Sequence, residues 1–229
     1  MKAKDNYQSA IDQFSHEIRN PLTAVSSTVQ MLQSKYPELC DDKFFQALDK
    51  DVRFMIELVA DFSKYTVDKG FREETFSFDT VMKEIVLSFA ASVAETDISF
   101  TSKIGMTDYT FLGDHVQIQQ LFRNLLGNAV DAVTGKPEAH IFLHAFTEED
   151  CIVVTVEDNG CGIAKERIPT IFDPFVTYKI HGSGLGLSIC KQIVSAHHGT
   201  IEVSSVLGEG TIFKVSLPTK NEGYEHTGE

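Results

Sequence analysis

The chain has 229 residues and a mass of 25.5 kDa, a length between one large domain and two ordinary ones at about 150 residues each. Its 42% apolar and 23% charged composition suits a globular protein with a buried core and excludes wholesale disorder. Twenty basic against 33 acidic residues give a formal charge of -13, the wrong sign for a general phosphate-backbone binder, so no nucleic-acid partner is expected.

The first seventy residues carry helical periodicity. Ile11, Ile18, Val25 and Leu32 recur at heptad spacing, with Phe14 at d and Leu22 and Val29 beside that seam, which predicts one long amphipathic helix. Tyr36-Pro37-Glu38 and Asp41-Asp42 break the chain. A second seam follows over Phe45, Leu48, Val52, Met55, Val59 and Phe62. Two such helices pack antiparallel but bury too little alone, so a homodimer forming a four-helix bundle is expected. On this frame His16 falls at f, on the face pointing away from the bundle core. Pro21 sits one turn later in the helix interior, where it costs about 3 kcal/mol and gives the Glu17 carbonyl no N–H, which suggests a functional bend.

Gly70 marks the change to mixed helices and strands. Strands are expected near 75–78, 97–103, 109–112, 139–147 and 151–158, with a hairpin at 200–206 and 211–217; helices are expected over 80–95, 114–133 and 183–197. The fold class is therefore α+β and multidomain, a helical hairpin followed by an α/β sandwich. Domain boundaries are set at 1–70 and 71–220, with a tail at 221–229 expected to be disordered. The longest apolar-rich stretch, 85–94, is about half the length of a bilayer span, and no signal-peptide pattern begins at Met1. No membrane segment is expected in this chain and a cytoplasmic location fits, while a sensor or membrane segment upstream stays open. Cys40, Cys151, Cys161 and Cys190 form no C-x-x-C pair and read as buried or reduced thiols.

Several motifs carry chemistry. Asn124 and Asn128 lie four apart, so both amides project from one helix face beside Asp131. Such oxygens suit a hard cation shared with phosphates, because Mg²⁺ takes few protein ligands. Asp158-Asn159-Gly160-Cys161-Gly162 ends an apolar strand in a turn; Asp158 can accept a hydrogen bond there while the glycines admit a flat ligand near the backbone. His181-Gly182-Ser183-Gly184-Leu185-Gly186-Leu187-Ser188 runs into a helix, where backbone N–H groups make an anion site. It is neither a P-loop nor a dinucleotide fingerprint.

Taken in order, Phe14-Ser15-His16-Glu17-Ile18-Arg19-Asn20-Pro21-Leu22-Thr23, Asn124-Leu125-Leu126-Gly127-Asn128-Ala129, Asp158-Asn159-Gly160-Cys161-Gly162, Ile171-Phe172-Asp173-Pro174-Phe175 and Gly182-Ser183-Gly184-Leu185-Gly186-Leu187 closely resemble the catalytic core of bacterial sensor histidine kinases. The resemblance spans nearly the whole chain and implies a dimerisation and phosphoacceptor hairpin followed by a GHKL (Bergerat) ATP-binding domain. It implies ATP- and Mg²⁺-dependent phosphorylation of His16, then transfer to an aspartate on the receiver domain of a response regulator.

Residue by residue, the resemblance makes Glu17 the carboxylate that orients the His16 ring and collects its proton, with Arg19 nearby to neutralise charge. Asn128 resembles the principal Mg²⁺ ligand, with Asn124 in support, and Asp158 the carboxylate that recognises the adenine amino group. Gly160, Gly162 and Ile163 belong to the base pocket with Thr211. Phe172 and Phe175 resemble the aromatic box that packs the lid, and Gly182, Gly184, Leu185, Gly186 and Leu187 the glycine box at its hinge. Many relatives carry a base where this chain has Asp131; an acid there resembles the nitrogen-regulation branch and leaves charge compensation to Lys179, Arg123 or the metal. Glu17-Ile18-Arg19-Asn20 also fits the acid-x-x-Asn pattern of relatives that dephosphorylate their partner, with Asn20 orienting a water. Two competing readings remain at this level: a GHKL-type ATPase or serine kinase whose hairpin only dimerises, and a scaffold that binds without catalysis.

Overall fold

A computed structural model describes residues 2–66, 71–179 and 182–219; for 2–14, 16, 61 and 64–66 it describes the backbone alone. The chain divides into two compact units, residues 1–70 with 173–186, and residues 71–172 with 187–229.

In the first unit, α1 (Lys2–Lys35) runs unbroken through Pro21, and α2 (Lys43–Thr66) returns after a short 3₁₀ turn at Pro37–Asp41. Thr23 Oγ1 donates to the Arg19 carbonyl at 2.8 Å, adding a donor in the turn where Pro21 supplies none. Asp42 caps α2: its carboxylate accepts the Phe45 N–H at 2.9 Å, which relieves one of the orphan donors of a helix start.

Burial divides the expected seams: Ile18, Phe45, Val59 and Phe62 are half-buried, and other seam residues stand exposed. Val29 and Val52 are buried, while Val25, Leu32, Leu48 and Met55 are exposed in the single chain. The buried row of α1 runs through Ser15 and Val29, so the heptad row through Val25 and Leu32 faces outward. A helix of a four-helix bundle needs two apolar edges, one for its hairpin mate and one for another helix, and periodicity alone does not tell which edge meets which. The f position assigned to His16 concerns a side chain outside the described residues.

The second unit begins with a two-stranded antiparallel pair, β1 (Glu74–Ser77) with β3 (Thr110–Gly113). Between them come α3 (Phe78–Val93) and β2 (Ser99–Ile104). Then follow α4 (His115–Val133), β4 (His140–Glu148), β5 (Cys151–Asp158), α5 (Gly186–Ala196), β6 (Thr200–Val206) and β7 (Gly210–Pro218). The main sheet has the order β2-β4-β5-β7-β6, parallel only between β2 and β4. Helix α4 packs on β4, β5 and β7, and α3 on α4 and β2. This is the expected α/β sandwich.

Strand alternation explains the layers. Ile141, Leu143 and Ala145 of β4, Ile152, Val154 and Val156 of β5, and Phe213, Val215 and Leu217 of β7 are all buried. Their registers, Leu143 with Val156 and Val156 with Phe213, put them on one face, as period-two alternation demands.

Two carboxylates anchor the helix starts: Asp114 is the N-cap of α4, and Asp79 lies in the first turn of α3, whose N-cap is Ser77. Asp114 accepts the Val116 and Gln117 N–H groups at 3.1 Å each and the Arg72 N–H at 3.2 Å. Asp79, buried at the start of α3, accepts from Ser77 Oγ at 2.9 Å, Lys83 Nζ at 2.8 Å and the Tyr109 N–H at 3.1 Å. These donors, Lys83 first, hold its carboxyl down at about 2. Helix α5 starts at Gly186 and not at the expected Ser183, because Gly184 has φ +67°, a left-handed conformation no helix continues through.

Candidate nucleotide site

The inward row of β5 runs Ile152, Val154, Val156, and the next inward residue is Asp158. Across the sheet Asp158 pairs with Thr211 of β7, which in turn pairs with Ser205 of β6. The sheet's core-facing rows thus end, at one rim, in a polar rung of Ser205, Thr211 and Asp158. Asp158 and Thr211 are 6% and 4% exposed; burying such groups is costly unless they are hydrogen-bonded.

They are bonded. The Asp158 carboxylate accepts the Gly160 N–H at 2.8 Å and a backbone N–H of Thr211. Burial pushes its carboxyl above the ordinary value, and those N–H donors together with Lys136 pull it back. An anionic acceptor at the end of a strand, held by fixed backbone donors, can take a hydrogen bond from a ligand amino group.

The loop after Asp158 is pinned on all sides. Asn159 accepts the His140 N–H through Oδ1 at 2.8 Å and donates through Nδ2 to the Glu138 carbonyl at 2.8 Å. The Cys161 N–H reaches the Ala132 carbonyl at 3.0 Å, and the Gly208 N–H reaches the Cys161 carbonyl at 2.7 Å. Lys136 Nζ donates to the Asn159 carbonyl. A Cβ on Gly160 would sit 2.5 Å from the Ala132 oxygen; one on Gly162, at φ +66°, would sit 2.1 Å from the Val206 oxygen. Both positions need glycine because backbone, not a flexible side chain, fills the space. Ile163 donates its N–H to Ser205 Oγ at 2.7 Å.

Asn124 and Asn128 lie half-buried on one face of α4, with Asp131 and Arg123 exposed. The Asn124 amide is hydrogen-bonded to the buried Cys190 thiol of α5, whose pKa burial drives up to about 12. Cys190 Sγ also donates to the Leu121 carbonyl at 3.7 Å, so it is a neutral structural thiol and not a nucleophile. Phe172 meets Phe213 edge-on, with ring centroids 6.4 Å apart.

The aromatic and glycine boxes continue in the first unit. Phe175, exposed and at φ +65°, donates its N–H to the Gly184 carbonyl at 3.0 Å. A Cβ on Gly184 would lie 2.6 Å from the Phe175 backbone, and one on Gly182 2.4 Å from Thr177 Oγ1. Leu185 is fully buried. Gly186, the first residue of α5, has open space where its Cβ would be. Lys179 is exposed, its N–H on Thr177 Oγ1 at 3.2 Å, and Leu187 is half-buried. On α1, Glu17 and Asn20 are exposed and Arg19 half-buried, flanking the His16 backbone.

Thus Asp158, Gly160, Gly162, Ile163 and Thr211 form one connected constellation in the second unit, and His16, Glu17, Arg19 and Asn20 share one helix of the first. Ser205 and Lys136 escaped the sequence reading. The available signal for Ser205 was a polar residue at an inward position of an otherwise apolar strand row. Among the described residues, no cluster of three or more His, Cys, Asp or Glu side chains could hold a metal ion, and no helix is long and apolar enough to cross a membrane.

Residues 113–221 match the family described as histidine kinase-, DNA gyrase B- and HSP90-like ATPase, and residues 9–66 match the His Kinase A (phospho-acceptor) domain. Among curated proteins, the chain is 27% identical to the signal transduction histidine-protein kinase AtoS of Escherichia coli, over 91% of this chain and 34% of that protein. It is 33% identical to the phytochrome-like protein Cph1 of Synechocystis, over 90% of this chain and 28% of that protein. The chain spans less than half the length of the curated relatives it matches. Among solved structures, the catalytic domain of histidine kinase ThkA aligns at TM-score 0.58 and 29% identity, covering 65% of this chain and 96% of that one. ThkA in complex with the response regulator TrrA aligns at TM-score 0.68 and 24% identity over 93% of this chain and 61% of that one. A phospho-acceptor domain followed by an ATPase domain of this type makes the chain a sensor histidine kinase catalytic core.

Proposed function

We propose that the chain is the kinase core of a two-component system, transferring the γ-phosphoryl group of ATP to His16 and from there to an aspartate on a response regulator. The hairpin, residues 1–70, dimerises and presents His16, and residues 71–220 bind ATP; the tail expected at 221–229 lies outside the described residues. The core works in the cytoplasm. The observation that carries this reading is the polar rung at the sheet rim, with Asp158 as an anionic acceptor beside Thr211, in a chain whose first helix bears the phospho-acceptor motif.

In the transfer, a neutral His16 ring nitrogen attacks the γ-phosphorus in line, a P–N bond forms and the bond to ADP breaks. Glu17 orients the ring through its other nitrogen and takes the proton. Asp158 receives the adenine amino group, and Gly160, Gly162, Ile163 and Thr211 shape the base pocket. Asn128, with Asn124, would hold Mg²⁺; neutral amide oxygens suit this ion because phosphates supply the remaining charge. An ion held there would neutralise charge on the phosphates. Gly182, Gly184, Leu185, Gly186 and Leu187 form the lid hinge that Phe172 and Phe175 support. Since Asp131, an acid as in the nitrogen-regulation-like branch, cannot act as a cation, charge compensation at the phosphates falls to Lys179, Arg123 or the metal, with Arg19 near His16. The response regulator as partner draws support from the ThkA–TrrA complex, and the homodimer from the outward apolar row of the hairpin.

The test is incubation with γ-labelled ATP and Mg²⁺ of the parent chain and His16→Gln. Acid-labile, alkali-stable label that vanishes in the variant, with ATP binding retained, is expected. Label persisting in the variant would move the acceptor elsewhere, and ATP binding with no label in the parent would make the core a scaffold. The acid-x-x-Asn pattern adds dephosphorylation of the regulator, with Asn20 orienting the water. Asn20→Ala should keep His16 labelling and lose that activity; an unchanged dephosphorylation rate removes Asn20 from the role.

A further inference from the structure

The strand register sets Ser205, Thr211 and Asp158 side by side on the core face of the sheet, and the hydrogen bonds within this rung have a direction. Ser205 Oγ donates to the Gly210 carbonyl at 2.8 Å and accepts the Ile163 N–H at 2.7 Å. It lies 3.0 Å from Thr211 Oγ1. A hydroxyl has one proton and two lone pairs. With its proton committed to Gly210 and one lone pair to Ile163, Ser205 has only an acceptor position left for Thr211. The Thr211 proton therefore points at Ser205, and Thr211 Oγ1 keeps only lone pairs for anything else.

From this geometry we infer that Ser205 is a specificity-determining positioning residue: it holds Thr211 as an acceptor beside the Asp158 carboxylate, so the rim selects a 6-amino purine over a 6-oxo purine. The inference rests on the reading of Asp158 as the adenine-recognising carboxylate. An amino group offers two N–H donors to two acceptors. A 6-oxo group presents lone pairs to them, and a site built from polar groups discriminates strongly when those groups are left opposed or unpaired. Ser205 does this without touching the base. Its bond to Ile163 also ties the glycine turn to β6, so one side chain sets both the pocket wall and the proton direction.

Without the Ser205 hydroxyl, the Thr211 proton is released to rotate toward a ligand and can donate to a 6-oxo group. The experiment measures dissociation constants for ATP and ITP on the same samples of the parent, Ser205→Ala, Ser205→Thr and Asp158→Asn chains, with thermal melts alongside. The ratio of the two constants does not depend on the fraction of folded protein. Ser205→Ala should narrow the ATP preference about tenfold, the scale of one misdirected hydrogen bond, and Ser205→Thr should restore it. Equal weakening of ATP and ITP in Ser205→Ala would show a merely structural role and overturn the inference. Asp158→Asn tells the two ideas apart. If it leaves the ATP to ITP ratio unchanged, the adenine reading itself fails; if it collapses the ratio while Ser205→Ala does not, that reading stands and Ser205 is not the determinant.

Discussion

The hairpin and the sheet unit bury themselves differently. In the sheet unit, buried rows on β4, β5 and β7 are covered by α4, with Phe78, Met82, Ile118, Phe122 and Leu125 among the most enclosed side chains. In the hairpin, the buried apolar side chains among the described residues are Val29 and Val52, while Val25, Leu32, Leu48 and Met55 stand exposed. A unit with a closed core can fold and hold a ligand alone. A two-helix unit this open needs another surface, since small cores leave little stability after conformational entropy is met. The division matches the chemistry proposed for each: nucleotide recognition requires a rigid pocket, whereas a phosphoacceptor has to be reached in turn by a kinase site and by a partner.

The largest effect that would sharpen this contrast is at the outward row. Leu48→Glu places a charge where the proposed four-helix bundle buries an apolar side chain, at a cost of several kcal/mol per dimer, on the order of 4. Sedimentation should show a monomer, with ATP affinity unchanged because the sheet unit has its own core. A variant that stays dimeric would mean that another surface holds the copies together.

A second substitution attacks the closed unit alone. Gly162→Ala puts a Cβ 2.1 Å from the Val206 oxygen at φ +66°, a strain and clash of about 3 kcal/mol. The melting temperature should fall and ATP affinity drop at least tenfold, with helical dimerisation preserved. Normal ATP binding in a folded Gly162→Ala chain would show that the turn can shift without disturbing the site.

The smallest effect is acid sensitivity confined to the sheet unit. Asp79 has its pKa lowered from 3.8 to about 2, chiefly by Lys83. A folded value below the unfolded one means that its stabilisation is present above pH 3.8 and lost as pH falls toward 2. Because Lys83 is half exposed, screening keeps the contribution to about 1 kcal/mol. Asp79→Asn should flatten the loss of stability of the sheet unit across that window in denaturant titrations; an identical pH profile would assign the acid response to other carboxylates.

Much of the site is legible in residue types because its chemistry tolerates few substitutes. A carboxylate ending an apolar strand, glycines where no Cβ fits, and two asparagines one turn apart each announce themselves locally; Asp158 ends β5, Gly160 and Gly162 leave no room for a Cβ, and Asn124 lies on α4. Ser205 did not announce itself. Serine near a strand end is ordinary, and its meaning comes from the β6–β7 register that sets it beside Thr211. The start of α5 was missed for a related reason: Ser183 is a favourable helix cap by type, but the left-handed Gly184 delays the helix to Gly186.

The amino-acid sequence by itself determined the two-part architecture and the order of strands and helices, and it singled out the residues proposed to handle phosphate, base and metal. Periodicity, turn chemistry and motif spacing are local properties, carried by neighbours in the chain. Tertiary structure decided which apolar edge of each hairpin helix is buried, that Asn124 meets the Cys190 thiol, and that Ser205 comes within hydrogen-bond reach of Gly210, Ile163 and Thr211. These depend on contacts between residues distant in sequence, where register and packing, not residue type, choose the hydrogen-bond partner.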